Sequence, residues 1–144
     1  NTISVEYTDN TSFSSPVAKF IMPNSEVTAT AYFRRDITSS FTDVNFKNAI
    51  YSLISNISSP EPIYDYHVEP IRTLPLDSKG IESLAGIEHF KSLENLHCEG
   101  NNITELNLSG MKNLKYLHCN GNPLSVLNVS GDVVLTDLYC QDNE

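Results

Sequence analysis

The chain has 144 residues, 40% of them hydrophobic, with 18 acidic against 9 basic side chains and a net charge of −9, which suits one small soluble domain or a domain with an appendage. No Lys/Arg cluster exists beyond Arg34-Arg35, and neutralising phosphates needs concentrated positive charge, so nucleic acid and anionic membrane are excluded as expected partners. No apolar run approaches the ~18 residues of a membrane span, so no membrane insertion is expected, and the opening residues lack the basic and apolar regions of a signal peptide.

Residues 1–35 read as a β segment. Ile3-Ser4-Val5-Glu6-Tyr7 alternates apolar and polar, and so in part does the run from Val27 to Phe33, with Met22-Pro23-Asn24-Ser25 as the turn after Ala18–Ile21. In residues 36–66 the period changes. Phe46, Ile50, Leu53 and Ile54 fall at i, i+4, i+7 and i+8, which predicts a helix within 41–55. Thr42 is the expected N-cap, with Asp43 in the first turn where negative charge suits the helix dipole. Ser55-Asn56 and the Ser/Pro-rich stretch from Ser58 to Pro62 end it. Tyr64 to Glu69 is expected to be a short linker or strand.

Residues 67–144 repeat. Leu93, Leu114 and Leu135 share one phase, as do Leu96, Leu117 and Leu138, then Cys98, Cys119 and Cys140, then Asn101, Asn122 and Asn143. A period of 21 residues carrying L-x-x-L-x-C-x-x-N is the signature of a leucine-rich repeat solenoid, here of about three turns. The helix just before it is expected to cover its apolar end as an N-terminal cap. Ile71, Leu74, Leu76, Ile81 and Leu84 align with the same scheme as a degenerate first repeat, where Pro75 is tolerable in an edge strand. Ile81, Leu84, Ile87, Phe90 and Leu93 recur every third residue, predicting a short α or 3₁₀ helix around residues 84–91. Ile103-x-x-Leu106-x-Leu108 and Leu124-x-x-Leu127-x-Val129 copy the strand wording about half a period later. Each turn is therefore expected to hold two short strands across a thin core. The third copy stops before its turn is finished, so Leu135 and Leu138 are expected on an uncovered end, met either by continuation of the array or by end-to-end self-association.

The cysteines in the L-x-C positions point inward, and cysteine packs as a small hydrophobe, so a buried column of free thiols is the expected role. A disulfide between rungs has a permissible Cα separation but parallel Cβ vectors. Zinc at the cysteines lacks the usual C-x₂₋₄-C spacing. No Cys–His dyad forms locally, because His97 and His118 precede their cysteines and strand neighbours face opposite ways. Asn101, Asn122 and Asn143 are expected to satisfy backbone groups where the chain leaves each strand, and stacked copies can bond one another; Lys79-Gly80 occupies that turn in the first repeat. Alternation then sends three columns outward: Thr73, Asn95, Tyr116 and Asp137; Pro75, His97, His118 and Tyr139; Asp77, Glu99, Asn120 and Gln141. Asn95, His97, Glu99, Tyr116, His118, Asn120, Asp137, Tyr139 and Gln141, expected on one concave face, are the candidate binding residues, since rings bury area cheaply while polar groups fix orientation. The competing reading of these columns is a solvated face with no partner. His97, His118 and Glu99 have ligand chemistry for a stray divalent ion, although no metal or cofactor is assigned. His67 and His89 have no evident partner. Asp77 beside Glu99 is a carboxylate pair whose exposure on an open sheet should leave its acidity little changed. No phosphate loop, G-x-S-x-G or H-E-x-x-H motif appears, so no enzyme activity is expected. Asn-x-Ser/Thr triplets at Asn10, Asn56, Asn102, Asn107 and Asn128 arise largely from the repeat wording.

Leu74 to Leu93 (LPLDSKGIESLAGIEHFKSL) resembles the opening segment of internalin-like bacterial leucine-rich repeat proteins, and Phe41 to Phe46 resembles their cap. With the repeats, this resemblance covers about residues 40–144. Phe20 to Phe33 (FIMPNSEVTATAYF) is similar to the closing half of the B-repeat found in such proteins. The resemblance implies a secreted or cell-surface bacterial protein that binds protein or glycan ligands without catalysis. The alternative is a structural spacer or stalk presenting neighbouring domains.

Overall fold

The computed structural model describes residues 17–22, 25–30, 34–54, 57–131 and 134–144. The strand expected at residues 3–7, the centre of the turn at 22–25, residues 31–33, the helix stop at Ser55-Asn56 and the triplets at Asn10 and Asn56 lie outside them. The chain divides into two compact units, Asn1–Arg35 and Asp36–Glu144. In the first, β1 (Val17–Met22) and β2 (Ser25–Thr30) pair antiparallel with Val17 opposite Thr30 and Met22 opposite Ser25.

The second unit is a parallel-strand β-solenoid of about three turns with a helix on its N-terminal side. Asp36 bridges to Tyr64, and a 3₁₀ turn at Thr38–Ser40 leads to α1 (Val44–Leu53). The N-cap of α1 is Asp43, one residue later than the pattern suggested: its Oδ1 accepts from the Phe46 N–H at 2.8 Å. Carboxylate oxygens accept from two sides, and Asp43 uses both, since Oδ2 takes the N–H groups of Glu82 (2.8 Å) and Ser83 (3.2 Å) in the first solenoid turn. One side chain thus starts the helix and ties it to the repeats. Phe46, Ala49 and Ile50 are buried, whereas Leu53 faces outward at 39% exposure. Phe46 meets Phe41 edge-on at 5.6 Å and stacks on Phe90 at 6.2 Å, joining cap and solenoid through one aromatic cluster. Gly86, at φ +98°, lets Phe41 close in: a Cβ there would stand 2.5 Å from the Phe41 ring.

The segment expected as a linker or strand after Tyr64 is instead a single helical turn, α2 (Asp65–Val68), closed by Glu69 N–H to Asp65 O at 3.0 Å. Its one apolar residue inside the turn, Val68, is fully buried, and a helical turn is what brings Val68 inward while leaving Tyr66 exposed. His67 Nδ1 accepts the Tyr64 N–H at 3.0 Å and His89 Nε2 meets Ser40 Oγ at 3.0 Å, so both histidines have partners that no local pattern announces.

The solenoid is built from three-residue strands. β3 (Thr73–Pro75), β4 (Asn95–His97), β6 (Tyr116–His118) and β8 (Asp137–Tyr139) form the main parallel sheet in that order. β5 (Glu105–Asn107) and β7 (Val126–Asn128) form a second parallel pair half a turn away, the two-strand turn that the doubled wording predicts. A 3₁₀ turn at Ile87–His89 occupies the same half-turn of the first repeat. Leu74, Leu96 and Leu117 stack in register, all fully buried; burying a leucine stabilises by about 1.5–3 kcal/mol, so each rung adds its own increment. Pro75 lies on the edge strand β3, where the amide it lacks is not needed by the ladder. Cys98 and Cys119 are buried free thiols, but Cys140, expected in the same inward column, is exposed because β8 is the sheet's other edge with no rung stacked over it. Leu138 is 41% exposed for the same reason.

Among the described residues, Asn101 and Asn122 are the buried polar residues of the core. Asn101 accepts the N–H groups of Lys79 and Ile81, each at 3.0 Å, and donates to Leu76 O and Cys98 O, so it shapes the turn of the repeat before its own. Asn122 repeats the move with Ile103 N–H, Cys98 O and Cys119 O. The copies connect through shared carbonyls, Cys98 O and then Cys119 O. The Asn-x-Ser wording has a structural origin too: Asn107 and Asn128 accept the backbone N–H two residues on, from Ser109 and Ser130.

Candidate functional site

Strand pairing places the outward columns as alternation predicts. Thr73, Asn95, Tyr116 and Asp137 are register partners in turn, and so are Pro75, His97, His118 and Tyr139. The third column continues past the strand ends, where Ser78 N–H bonds Glu99 O (2.9 Å), Gly100 N–H bonds Asn120 O (3.0 Å) and Gly121 N–H bonds Gln141 O (3.0 Å). All nine candidate residues therefore lie on one face of the main sheet. The middle column is a stack of rings: His97 and His118 centroids are 4.6 Å apart, His118 and Tyr139 4.5 Å apart, each pair edge-on. Tyr116 and Tyr139 are 42% and 47% exposed. Asn95 Nδ2 donates to Thr73 Oγ1 at 3.0 Å.

The carboxyl pair departs from expectation. Asp77 Oδ1 and Glu99 Oε2 are buried, and among the described residues no donor bonds either atom. Burial pushes the Asp77 carboxyl above its ordinary range, and the hydrogen bond to Glu99 and the Glu99 charge push the same way. Burial also acts to raise Glu99, but the hydrogen bond from Asp77, its own backbone N–H and the nearby His97 and His118 together hold it below its usual value. The sequence missed this because the pair lies across the rung boundary at the strand ends, where the turns close over it.

A charged column borders the face. Glu94 accepts from Arg72 on one rung and from Lys115 Nζ (2.8 Å) on the next, and these two hydrogen bonds, Lys115 foremost, lower its acidity range. Arg72, Glu94 and Lys115 hold one position of successive repeats, a signal present in the alignment but not read as charge pairing. His97, Glu99 and His118 offer one ligand atom each, all within 4.8 Å of one another. Among the described residues, no helix is long and apolar enough to cross a membrane.

A family model described as leucine rich repeats, in two copies, matches residues 91–129. Similar solved structures are internalins of Listeria monocytogenes. The internalin inlF is 24% identical over 77% of this chain and 33% of its own, with a TM-score of 0.68. This chain has the internalin-like leucine-rich repeat fold. Internalin C2 is 25% identical over 63% of this chain and 41% of its own, with a TM-score of 0.58. The functional domain of InlJ, which includes a cysteine ladder, is 23% identical over 77% of this chain and 29% of its own, with a TM-score of 0.53. The chain therefore spans well under half the length of these internalins. A comparison with curated proteins finds no match. In this internalin-like fold the capped solenoid presents its main sheet outward, with the rings and amides described above on it.

Proposed function

We propose that the chain is a non-catalytic binding or adhesion module of a secreted or cell-surface bacterial protein, and that it holds a protein or glycan ligand on the concave face of the main sheet. The observation that carries this reading is the ring stack flanked by amides. Pro75, His97, His118 and Tyr139 run in register across four strands, beside Asn95, Tyr116 and Asp137 on one side and Glu99, Asn120 and Gln141 on the other. The backbone beneath them is fixed by ladder bonds and by the buried leucines, so no backbone ordering is needed when a ligand arrives. Rings half-open to solvent supply area, and carboxylates and amides supply direction. The likeness to internalins supports a role at the bacterial surface.

The test is a glycan array together with a display panel of extracellular protein ectodomains, probed with the labelled chain. Hits should disappear when His97, Tyr116, His118 and Tyr139 are all changed to alanine, and persist when Glu105, Asn107 and Val126 of the second sheet are changed. Retained binding by the first variant sinks the assignment of the face. A chain that captures nothing from either panel favours the spacer reading.

A further inference from the structure

We propose that His97, Glu99 and His118 form a binding site for a divalent transition ion of the zinc class, with a coordination position open to solvent. Their ligand atoms already lie within 4.8 Å of one another. The placement follows from the stack. His97 and Glu99 stand two residues apart on one rung, so alternation directs both to the same side, and His118 is the register partner of His97 on the next rung. The backbone under each is pinned from the neighbouring rung: Leu76 N–H bonds His97 O (2.7 Å), Ser78 N–H bonds Glu99 O (2.9 Å) and Cys98 N–H bonds His118 O (2.8 Å). The side chains are held as well. The His118 ring sits between the rings of His97 and Tyr139, and Glu99 stands beside the Asp77 carboxyl.

The donor set selects the ion. Two imidazoles with one carboxylate suit zinc, copper, nickel or iron(II), whereas calcium and magnesium are held by oxygen shells. Bonds of ~2.0–2.2 Å in a tetrahedron bring ligand atoms to roughly 3.3–3.6 Å. Closing on an ion then moves side-chain ends by at most ~1.5 Å, within reach of small χ rotations. Three protein ligands leave a fourth position for water or for a donor from a bound partner. The repeat explains the histidines, since both belong to the L-H-C wording, but not the carboxylate: the equivalent positions on the following rungs are Asn120 and Gln141. The site is thus confined to one pair of rungs.

Zinc chloride titrated into the 144-residue chain, followed by calorimetry, tests this. Cys140, an exposed free thiol that would compete, is first changed to serine. One ion should bind per chain with micromolar affinity, each of H97A, H118A and E99Q should weaken it at least ~10-fold, and calcium and magnesium should give no response. Glu105→Gln, on the other sheet, should change nothing. Absence of saturable binding, or binding that survives any of the three ligand substitutions, overturns the assignment. Should a variant fail to fold, the Cys140→Ser chain alone still decides: zinc must shift the imidazole resonances of His97 and His118 and not those of His67 and His89, and the opposite pattern refutes the site. The ion alone is the probe, so the outcome is independent of the partner-binding reading.

Discussion

Replacing Asn101, Asn122 and Asn143 singly by alanine should destabilise the solenoid in that order, with a steep decline at the last. Asn101 is 5% exposed and makes five hydrogen bonds: it accepts from Lys79 and Ile81 N–H and donates to Leu76, Cys98 and Glu99 carbonyls. Alanine strands the Ile81 N–H in the core and the Lys79 N–H near it, and an orphaned buried group costs about 1–3 kcal/mol. The carbonyls lose less, because each has a second lone pair. The expected loss is about 3–5 kcal/mol, a large share of the roughly 5–15 kcal/mol typical of a folded domain. Asn122 satisfies one buried amide, that of Ile103 at 3.1 Å, so about 2–4 kcal/mol is expected. Asn143 copies the geometry, accepting from Leu124 and donating to Cys119 and Cys140, but at the sheet edge water takes its place, and about 1 kcal/mol or less should be lost. Urea unfolding followed by circular dichroism reads the series. With a slope of about 2 kcal/mol per molar, Asn101→Ala should lower the midpoint by roughly 1.5–2.5 M. The double variant of Asn101 and Asn122 should be non-additive, since both donate to Cys98 O. Equal shifts for all three positions, or a larger one at Asn143, would refute the claim that burial of the turn amides gives the ladder its strength.

Asp43→Ala should cost about 2–3 kcal/mol, from the lost cap of α1 plus two further amides of the first turn. Burial acts to raise the Asp43 carboxyl, but the amides of Phe46, Glu82, Ser83 and Asn45 outweigh it and hold it below its ordinary value. Its stabilisation is therefore fully present above the unfolded value of about 3.9 and lost as pH falls through the lower folded value. Thermal melts of wild type and Asp43→Ala should converge in acid, and a constant gap down to low pH would contradict this. Thiol labelling at about pH 8 should modify Cys140 at the rate of a free cysteine while Cys98 and Cys119 react only on unfolding. Burial pushes Cys119 up to about 11 and Cys98 higher still, so rapid native labelling of either would mean the rungs part in solution.

The rungs were legible because repetition writes the same physical demand several times. One leucine on an apolar face is ambiguous between helix and strand; Leu74, Leu96 and Leu117 at a constant phase with cysteine and asparagine at fixed offsets are not, and the register they imply is the one observed. The outward columns followed at once, since a period of two leaves no choice of side. What stayed hidden occurs once. Asp43 was recognised as suited to a helix start, but its reach to Glu82 and Ser83 crosses from the cap to the solenoid and has no local trace. α2 is a single turn, too short for a hydrophobic period to show, and its fold is decided by burial of Val68. The Asp77–Glu99 pair departs from its expected ordinary acidity because Asp77 is partly buried at the strand end, which a pattern of alternation does not reveal.

The Asp77–Glu99 pair bears on how the outer face can work. In the repeats after the first, everything the fold needs points inward: leucines, cysteines and an asparagine that caps the turn before it. Outward positions are then free of structural duty, and most of them show it. Asn120 and Gln141 lack the charge of Glu99 at equivalent places, and the backbone bonds that carry them, Gly100 N–H to Asn120 O and Gly121 N–H to Gln141 O, are both 3.0 Å. Glu99 is the exception among them, an outward carboxylate set beside the Asp77 carboxyl and two imidazoles. The cost of burial falls on Asp77, whose carboxyl is pushed up, while the surroundings of Glu99 favour its charged form. The repeat supplies the histidines of itself but not Glu99, which is why the ion-binding test centres on Glu99.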